Sequence, residues 1–202
     1  MELFFSPLAC SMASRIVLNE AGAECDYRLV DLKSKTVDGA DYLAINPMGQ
    51  VPALRTDSGA VITENAVVLQ YLARLFPKAG LAPAGDPALA EMQQWLSFIS
   101  TELHTAVFAP LFSPDADDAV KAFALKKAPA RFNVVDRRLA GRSTALAAFS
   151  IVDAYLFTVL NWTQATSIAL KNWDNAYRYW KAIGERPSVA RALAAELPLY
   201  RA

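Results

Sequence analysis

The fold is decided by residues 2–22, which read ELFFSPLACSMASRIVLNEAG. Glu2–Phe5 has the short apolar run of a buried strand. The apolar spacing that follows predicts a helix over Ser11–Ala21, and Gly22 caps it because glycine tolerates a positive φ. A strand that leads directly into a helix indicates a sheet covered by helices.

The next part of the chain continues this alternation. Asp26–Leu32 has the pattern of a second strand, and Asp57-Ser58-Gly59 is typical of the turn in an antiparallel hairpin. A helical pattern then covers residues 64–76. The order strand, helix, strand, short helix, hairpin, helix predicts a thioredoxin-like α/β domain over residues 1–77 with a small mixed sheet.

A proline- and glycine-rich stretch at 78–87 marks a linker. Beyond it the strand signals disappear, so residues 88–202 are predicted to be an all-α domain. Ser150 followed by Asp153 fits a capping box at the start of an apolar helix. The helices are predicted at 89–108, 116–139, 150–165, 172–184 and 188–196.

Composition excludes several classes of function. Twenty basic and twenty acidic residues leave no net charge, which disfavours nucleic acid as a partner. The most apolar run, 151–160, is too short to span a membrane. Two cysteines are too few for a disulfide framework, and without a signal-peptide pattern we expect a cytoplasmic location. One histidine rules out a histidine-rich metal site, and we expect no metal.

Cys10 lies between the first strand and the first helix. Free amide groups and the helix dipole at this position, together with Arg15 one turn on, favour either the thiolate of Cys10 or a bound thiolate beside it. Position 13 is Ala13, so no second cysteine can resolve a disulfide, and any thiol exchange needs an external thiol. The alternative is that Cys10 is only a small buried apolar side chain.

Two further segments suggest a peptide-like ligand. Pro52 removes a backbone donor where a strand begins, so an extended ligand can pair with Val51 at an open edge. Glu64 and Asn65 open the next helix, where free amides attract a carboxylate and Glu64 can meet an ammonium group. The alternatives are an ordinary tight turn and ordinary helix capping. Sequence alone leaves the Val51–Pro52 bond open between cis and trans.

Together these motifs resemble the cytosolic glutathione transferases, most closely the bacterial beta class. The resemblance covers nearly the whole chain and implies the glutathione transferase fold, with glutathione as co-substrate. It also implies a helical domain that supplies the pocket for an electrophile, and a homodimer. The motifs that carry it are Ser-Pro-x-x-Cys-Ser at 6–11, Asn-Pro-x-Gly-Gln-Val-Pro at 46–52, Thr-Glu at 63–64 and Phe-Ser-x-x-Asp-Ala-Tyr at 149–155.

The resemblance implies conjugation of the glutathione thiolate to small hydrophobic electrophiles. Cys10 would face the glutathione sulfur, with Ser11 polarising it and His104 approaching from the helical domain. Two alternatives stay open: glutathione-dependent thiol–disulfide exchange through Cys10, and a non-catalytic binding protein on the same fold. Phe5 occupies the position where other classes carry a tyrosine, so no tyrosine hydroxyl is proposed there.

The implied glutathione contacts fall on both domains. Val51 and Pro52 would lie along the cysteinyl part, and Lys35 would lie near the glycyl carboxylate. Asn65 stands where a serine or glycine is more usual in the family, and with Glu64 it would hold the γ-glutamyl end. A polar helix face would line the cleft, or would simply be solvated; its members are Ser97, Thr101, Glu102 and His104.

Overall fold

A computed structural model describes residues 1–200 and divides the chain into two units, each with its own core. The first unit comprises Met1–Ala82 together with the chain from Arg186 onward. The second comprises Pro83–Glu185. The thioredoxin-like and helical parts that the sequence predicts are both present.

The first unit is built on a six-stranded mixed sheet with the strand order β4-β3-β2-β1-β5-β6. The strand β1 pairs in parallel with β2 and antiparallel with β5, which is the mixed arrangement predicted from the order of elements. A two-strand hairpin, β3–β4, extends one edge and was not predicted. The strands are β1 Glu2–Phe5, β2 Asp26–Asp31, β3 Thr36–Val37, β4 Ala40–Asp41, β5 Ala53–Arg55 and β6 Val61–Ile62.

The apolar run of β1 places it in the centre of this sheet. Leu3, Phe4 and Phe5 are all buried. Phe4 belongs to an apolar cluster with residues of neighbouring strands and of the Tyr42–Ala44 3₁₀ turn. Three helices complete the unit, and α1 packs against both of the others. They are α1 Ser11–Ala21, α2 Asn65–Leu75 and α8 Pro187–Tyr200.

The last helix belongs to the first unit, which corrects the prediction that residues 88–202 form one domain. Asn19 Nδ2 in α1 donates to the Ser188 carbonyl at 2.9 Å. Arg186 forms a bidentate ion pair with Glu20 at the same contact. These long-range bonds carry no local sequence signal, so helical periodicity assigned α8 to the domain that precedes it.

The second unit is all helical, as the sequence predicts. Its central helix is α6, which is almost wholly buried and begins at the predicted capping box. The Ser150 hydroxyl accepts from the Val152 amide, while Asp153 Oδ2 accepts from the Ser150 amide. The helices of this unit are α3 Ala88–Phe98, α4 Ala109–Phe112, α5 Asp118–Leu139, α6 Ile151–Asn161 and α7 Asp174–Gly184.

A π-helical segment of ten residues, Ile99–Phe108, lies between α3 and α4. The sequence predicted one continuous α-helix over 89–108, and that prediction is wrong in this part. Extended π-helices are rare, and their i→i+5 hydrogen bonds change which side chains share a face. The segment carries three of the four polar residues that were predicted to line one face.

Candidate functional site

The predicted thiol and the predicted open strand edge lie together in the first unit. Cys10 directly precedes α1, and its Sγ donates a hydrogen bond to the Val51 carbonyl at 3.1 Å. The Val51–Pro52 bond is cis. Within residues 1–200 the Val51 amide has no protein acceptor. An extended ligand can therefore accept a hydrogen bond from the backbone at this edge.

Cys10 is a protonated thiol at neutral pH. The side chain is buried, and burial raises the pKa of the Cys10 thiol to about 12. The amides of Cys10 and Ser11 favour the thiolate but do not offset the loss of solvation. The prediction of a Cys10 thiolate is therefore wrong, while its alternative, a bound thiolate beside Cys10, stays a prediction.

Arg15 does not supply the positive charge that the sequence assigned to Cys10. Its Nε donates to Glu196 Oε1 at 2.7 Å, and its guanidinium lies 3.6 Å from the centre of the Tyr27 ring. Both charged groups are buried, and the guanidinium is neutralised by its partner. The local pattern could not show this, because Glu196 lies 181 residues further along the chain.

We expect Cys10 to resist alkylation in the folded protein. With a pKa of about 12 for Cys10, its reaction with iodoacetamide at pH 8 should be at least about 100-fold slower than that of a free thiol, because the thiolate is the nucleophile. Mass spectrometry of the peptide that contains Cys10 measures this rate. The urea-unfolded protein is the control and should react at the ordinary rate. An equal rate in the folded protein would contradict the buried thiol.

Ser11 is tied to the loop before it. Its hydroxyl donates to the Ser6 carbonyl at 3.2 Å and accepts from the Ser6 amide at 3.3 Å. The side chain is fully buried. These two bonds fix the loop that carries Cys10. A direct contact of the Ser11 hydroxyl with a ligand sulfur stays a prediction.

The start of α2 holds a buried donor without a protein partner. Asn65 is 7% exposed, and its Nδ2 makes no hydrogen bond. Its Oδ1 accepts from Ser14 Oγ at 3.4 Å. Glu64, the residue before the helix, has φ 64° and gives no side-chain cap. A glutamate with a positive φ and a buried amide donor without a hydrogen bond both raise the free energy of the folded protein. Such features cluster at ligand sites.

Lys35 lies beside the loop that leads to Val51. Its Nζ donates to the Gly49 carbonyl at 3.0 Å. Gly49 has φ 60°, and a Cβ atom there would come within 2.9 Å of Lys35 Cδ. Glycine at this position therefore leaves room for the lysine stem. The ammonium group therefore lies against the backbone two residues before Val51.

In the second unit the predicted polar face is divided among different partners. Ser97 and Thr101 are exposed, and Thr101 Oγ1 donates to the Ser97 carbonyl at 3.0 Å. Glu102 forms a 2.7 Å ion pair with Arg131 of α5. Contacts of these three residues with glutathione stay predictions. His104 contacts Tyr155 of α6 instead.

His104 is a neutral imidazole in an aromatic environment. Its Nδ1 lies 2.8 Å from the Tyr155 hydroxyl, and its ring meets the Trp162 ring edge-to-face at 4.7 Å between centres. Burial lowers the pKa of His104 to about 4, because the charged form loses solvation. At neutral pH the side chain therefore carries no positive charge to stabilise a thiolate.

Two residues that bear on the site were missed by sequence reasoning. Tyr155 lies in a motif that carried the family resemblance, but nothing linked it to His104. Glu196 had no signal at all. In the part of the chain that is described, no group of three or more His, Cys, Asp or Glu side chains is placed to hold a metal ion. No helix among those residues is long and apolar enough to cross a membrane.

Comparison with known proteins gives one family. Residues 9–75 match the family model for the N-terminal domain of glutathione S-transferase, and residues 99–187 match that for the C-terminal domain. The chain is 39% identical to glutathione S-transferase GstA of Escherichia coli O157:H7 over 199 residues, which cover 97% of this chain and 98% of the relative.

Solved structures agree with this assignment. A sphingomonad glutathione S-transferase complexed with glutathione has a TM-score of 0.92 and 41% identity, covering 97% of this chain and 98% of that one. The beta-class glutathione S-transferase of Sphingomonas chungbukensis has a TM-score of 0.92 and 40% identity, with the same coverage of both chains. The similarity therefore extends over both units of the chain.

Proposed function

Because this chain belongs to the glutathione S-transferase family, we propose that it joins the glutathione thiol to small hydrophobic electrophiles. The glutathione thiol gives its proton to solvent, its sulfur forms a bond to carbon, and the leaving group departs with the electron pair. The protein must favour the thiolate and hold it beside the electrophile. The groups that we propose to act at this sulfur are Cys10, Ser11 and His104.

The observation that carries the proposal is the orphaned Nδ2 of Asn65. A buried amide donor without a partner costs about 1–3 kcal/mol, so a ligand that accepts from it regains that energy. It stands at the uncapped start of α2, where helix amides favour an anion. A γ-glutamyl carboxylate would satisfy both, and Glu64 beside it would meet the ammonium group.

The other proposed contacts suit the rest of the tripeptide. We propose that the Val51 amide, which has no acceptor among the described residues, pairs with the cysteinyl backbone. The Lys35 ammonium, which contacts Gly49 two residues before Val51, would meet the glycyl carboxylate. Because Cys10 keeps its proton, its S–H can turn from the Val51 carbonyl and donate to a thiolate at the Val51 edge. A buried thiolate at Cys10 would repel the glutathione sulfur instead.

An aromatic cluster in the second unit supports a hydrophobic electrophile. Trp162 packs edge-to-face on Phe108 and Phe112, at 5.4 and 5.8 Å between ring centres. Phe112 is 45% exposed, so one side of the cluster is open to a ligand. Aromatic side chains offer large apolar area and defined stacking geometry. We therefore propose aromatic electrophiles as the first to be tested.

The test is glutathione conjugation to an activated aryl halide by the purified protein. We expect saturable thioether formation above the uncatalysed rate. Glutathione binding without conjugation would favour a binding protein on the same fold, and absence of binding would exclude the proposal. Cys10→Ala should lower the rate of conjugation, because the S–H donor to the thiolate is lost. If that variant instead kept full conjugation but lost a glutathione-dependent thiol–disulfide exchange that the wild type performs rapidly, Cys10 would serve redox chemistry only.

We expect Asn65→Leu to weaken glutathione binding at least about tenfold, because a buried donor to the ligand is lost. The free energy of unfolding without ligand should stay within about 1 kcal/mol, since removing the unpaired Nδ2 offsets the loss of the 3.4 Å hydrogen bond that Oδ1 accepts from Ser14 Oγ. Calorimetry and urea unfolding measure the two quantities. Asn65→Ser keeps a hydroxyl donor and should bind more tightly than Asn65→Leu.

Asn172→Leu is the matched control for this prediction. Asn172 is exposed and lies in the second unit, so this variant should change neither quantity. If Asn65→Leu bound glutathione as the wild type does, Asn65 would be excluded from the site. If it instead destabilised the free protein strongly, the side chain would serve the fold.

We also propose that the chain forms a homodimer and resides in the cytoplasm. The dimer follows the family resemblance, and two free cysteines suit a reducing compartment. Light scattering measures the mass in solution. A mass equal to that of one 22.0 kDa chain at micromolar concentration would contradict the dimer.

A further inference from the structure

The His104–Tyr155 pair defines the hydrogen-bonding state of the only histidine in the chain. His104 Nδ1 and the Tyr155 hydroxyl are 2.8 Å apart. Tyr155 is 1% exposed and stands in α6, the most buried helix of the second unit. The phenol is therefore held by the core, and it fixes the imidazole rather than following it.

The direction of this hydrogen bond follows from the chemistry of the two groups. A neutral imidazole has one nitrogen that accepts and one that donates. An unprotonated imidazole nitrogen is a better acceptor than a phenol oxygen, and a phenol is a better donor than an imidazole N–H. The stronger arrangement has the Tyr155 hydroxyl donating to Nδ1, and the proton of His104 then resides on Nε2.

One further contact and the backbone conformation hold the ring in this orientation. Trp162 packs edge-to-face on the imidazole at 4.7 Å. The backbone of His104 belongs to the π-helical segment, whose side-chain directions differ from those of an α-helix. Within the described residues, Nε2 makes no hydrogen bond to protein. The proton on this nitrogen is thus available to a ligand.

We propose that Tyr155 is a positioning residue that holds His104 in the Nε2–H tautomer, so that His104 acts as a fixed neutral hydrogen-bond donor and not as a general base. This rests on the proposed function, in which His104 acts at the glutathione sulfur. A donor stabilises the thiolate as it forms and attacks, without removing its proton. The proton of the glutathione thiol leaves to solvent.

Nitrogen-15 NMR of the imidazole tests the tautomer directly, and a single histidine makes the assignment unambiguous. At pH 7 we expect one protonated nitrogen, Nε2, and an Nδ1 that accepts a hydrogen bond. Tyr155→Phe should remove the signature of that hydrogen bond and allow the second tautomer to appear. Tyr177→Phe, at an exposed position of α7, is the matched control and should leave the spectrum unchanged. A wild-type proton on Nδ1 would overturn the proposal.

Kinetics separate a donor from a base. His104→Gln offers an N–H but no base, whereas His104→Leu offers neither. We expect the glutamine variant to keep a kcat at least about tenfold above that of the leucine variant. Tyr155→Phe should lower kcat about tenfold with little change in the KM for glutathione. Equal loss in both His104 variants would overturn the donor role.

The spectroscopic result does not depend on catalysis. If the purified protein conjugated no electrophile, the proposed function would fail, while the wild-type tautomer would still be measured. A protein that conjugates but carries its proton on Nδ1 would refute the Tyr155 proposal alone.

Discussion

Replacing Glu196 by alanine is expected to lower the free energy of unfolding by about 3–5 kcal/mol, since it leaves a buried guanidinium without its counter-charge. Glu196 is fully buried and joins two parts of the first unit. Its Oε1 accepts from Arg15, and its Oε2 accepts from the Leu8 amide at 2.7 Å. Leu8 has φ 57°, so the loop before Cys10 depends on this acceptor. Urea unfolding followed by circular dichroism measures the change.

The matched control is Arg186→Ala, which breaks a more exposed ion pair between α1 and the residue that precedes α8. We expect a loss of about 1 kcal/mol or less from it. Combining Arg15→Met with Glu196→Gln should recover most of the stability that Glu196→Ala loses, because both charges leave the core together and the glutamine oxygen can still accept from the Leu8 amide. If Glu196→Ala lowered the free energy of unfolding by no more than Arg186→Ala does, the role of the buried ion pair would be refuted.

Asp153→Ala is expected to lower the free energy of unfolding by a similar amount, about 3–5 kcal/mol, because it leaves several buried donors without an acceptor. Oδ1 accepts from the Ala145 amide at 2.6 Å and from the Tyr179 hydroxyl at 2.8 Å. Oδ2 accepts from the Ser150 amide and hydroxyl at 2.9 and 3.0 Å. Burial raises the pKa of Asp153, but every neighbour is a donor, which suits the ionised carboxylate. Thermal and urea unfolding measure the loss.

Asp117→Ala tests whether burial is the cause. Asp117 also caps a helix, since its Oδ1 accepts from the Val120 amide at 2.9 Å, but the residue is exposed. Its removal should cost about 1 kcal/mol. Tyr179→Phe removes one of the donors to Asp153. Its loss of unfolding free energy should lie between those of Asp153→Ala and Asp117→Ala. If Asp153→Ala cost no more than Asp117→Ala, the buried network would contribute little beyond an ordinary cap.

The long elements of this fold were predictable because their signals are local. The strand Glu2–Phe5 and the helix Ser11–Ala21 have the bounds that the apolar pattern gives, and Gly22 is left-handed as its capping role requires. The β3–β4 hairpin was missed, because each of its strands has only two residues. The π-helical segment was missed too, because an apolar pattern does not distinguish it from an α-helix.

Parts of the candidate site were predictable where a single segment of sequence contains both the residue and the backbone groups around it. Val51 and Asn65 lie in short motifs whose backbone chemistry can be inferred nearby in sequence. The protonation of Cys10 was not predictable, because it depends on burial by residues from several elements. Arg15 was assigned to the wrong partner for the same reason, since its carboxylate comes from the other end of the chain.

The discontinuity of the first unit bears on how the protein is made. The chain leaves this unit at Ala82 and returns at Arg186, so translation must pass through the whole second unit before α8 exists. At about 5–20 residues per second, the nascent chain spends several seconds or more with Arg15 lacking its carboxylate. The Leu8 amide can bond to Glu196 only after α8 has left the ribosome. We therefore expect the loop that carries Cys10 to become ordered only after α8 has been made, and a chain truncated before Pro187 to lack this order.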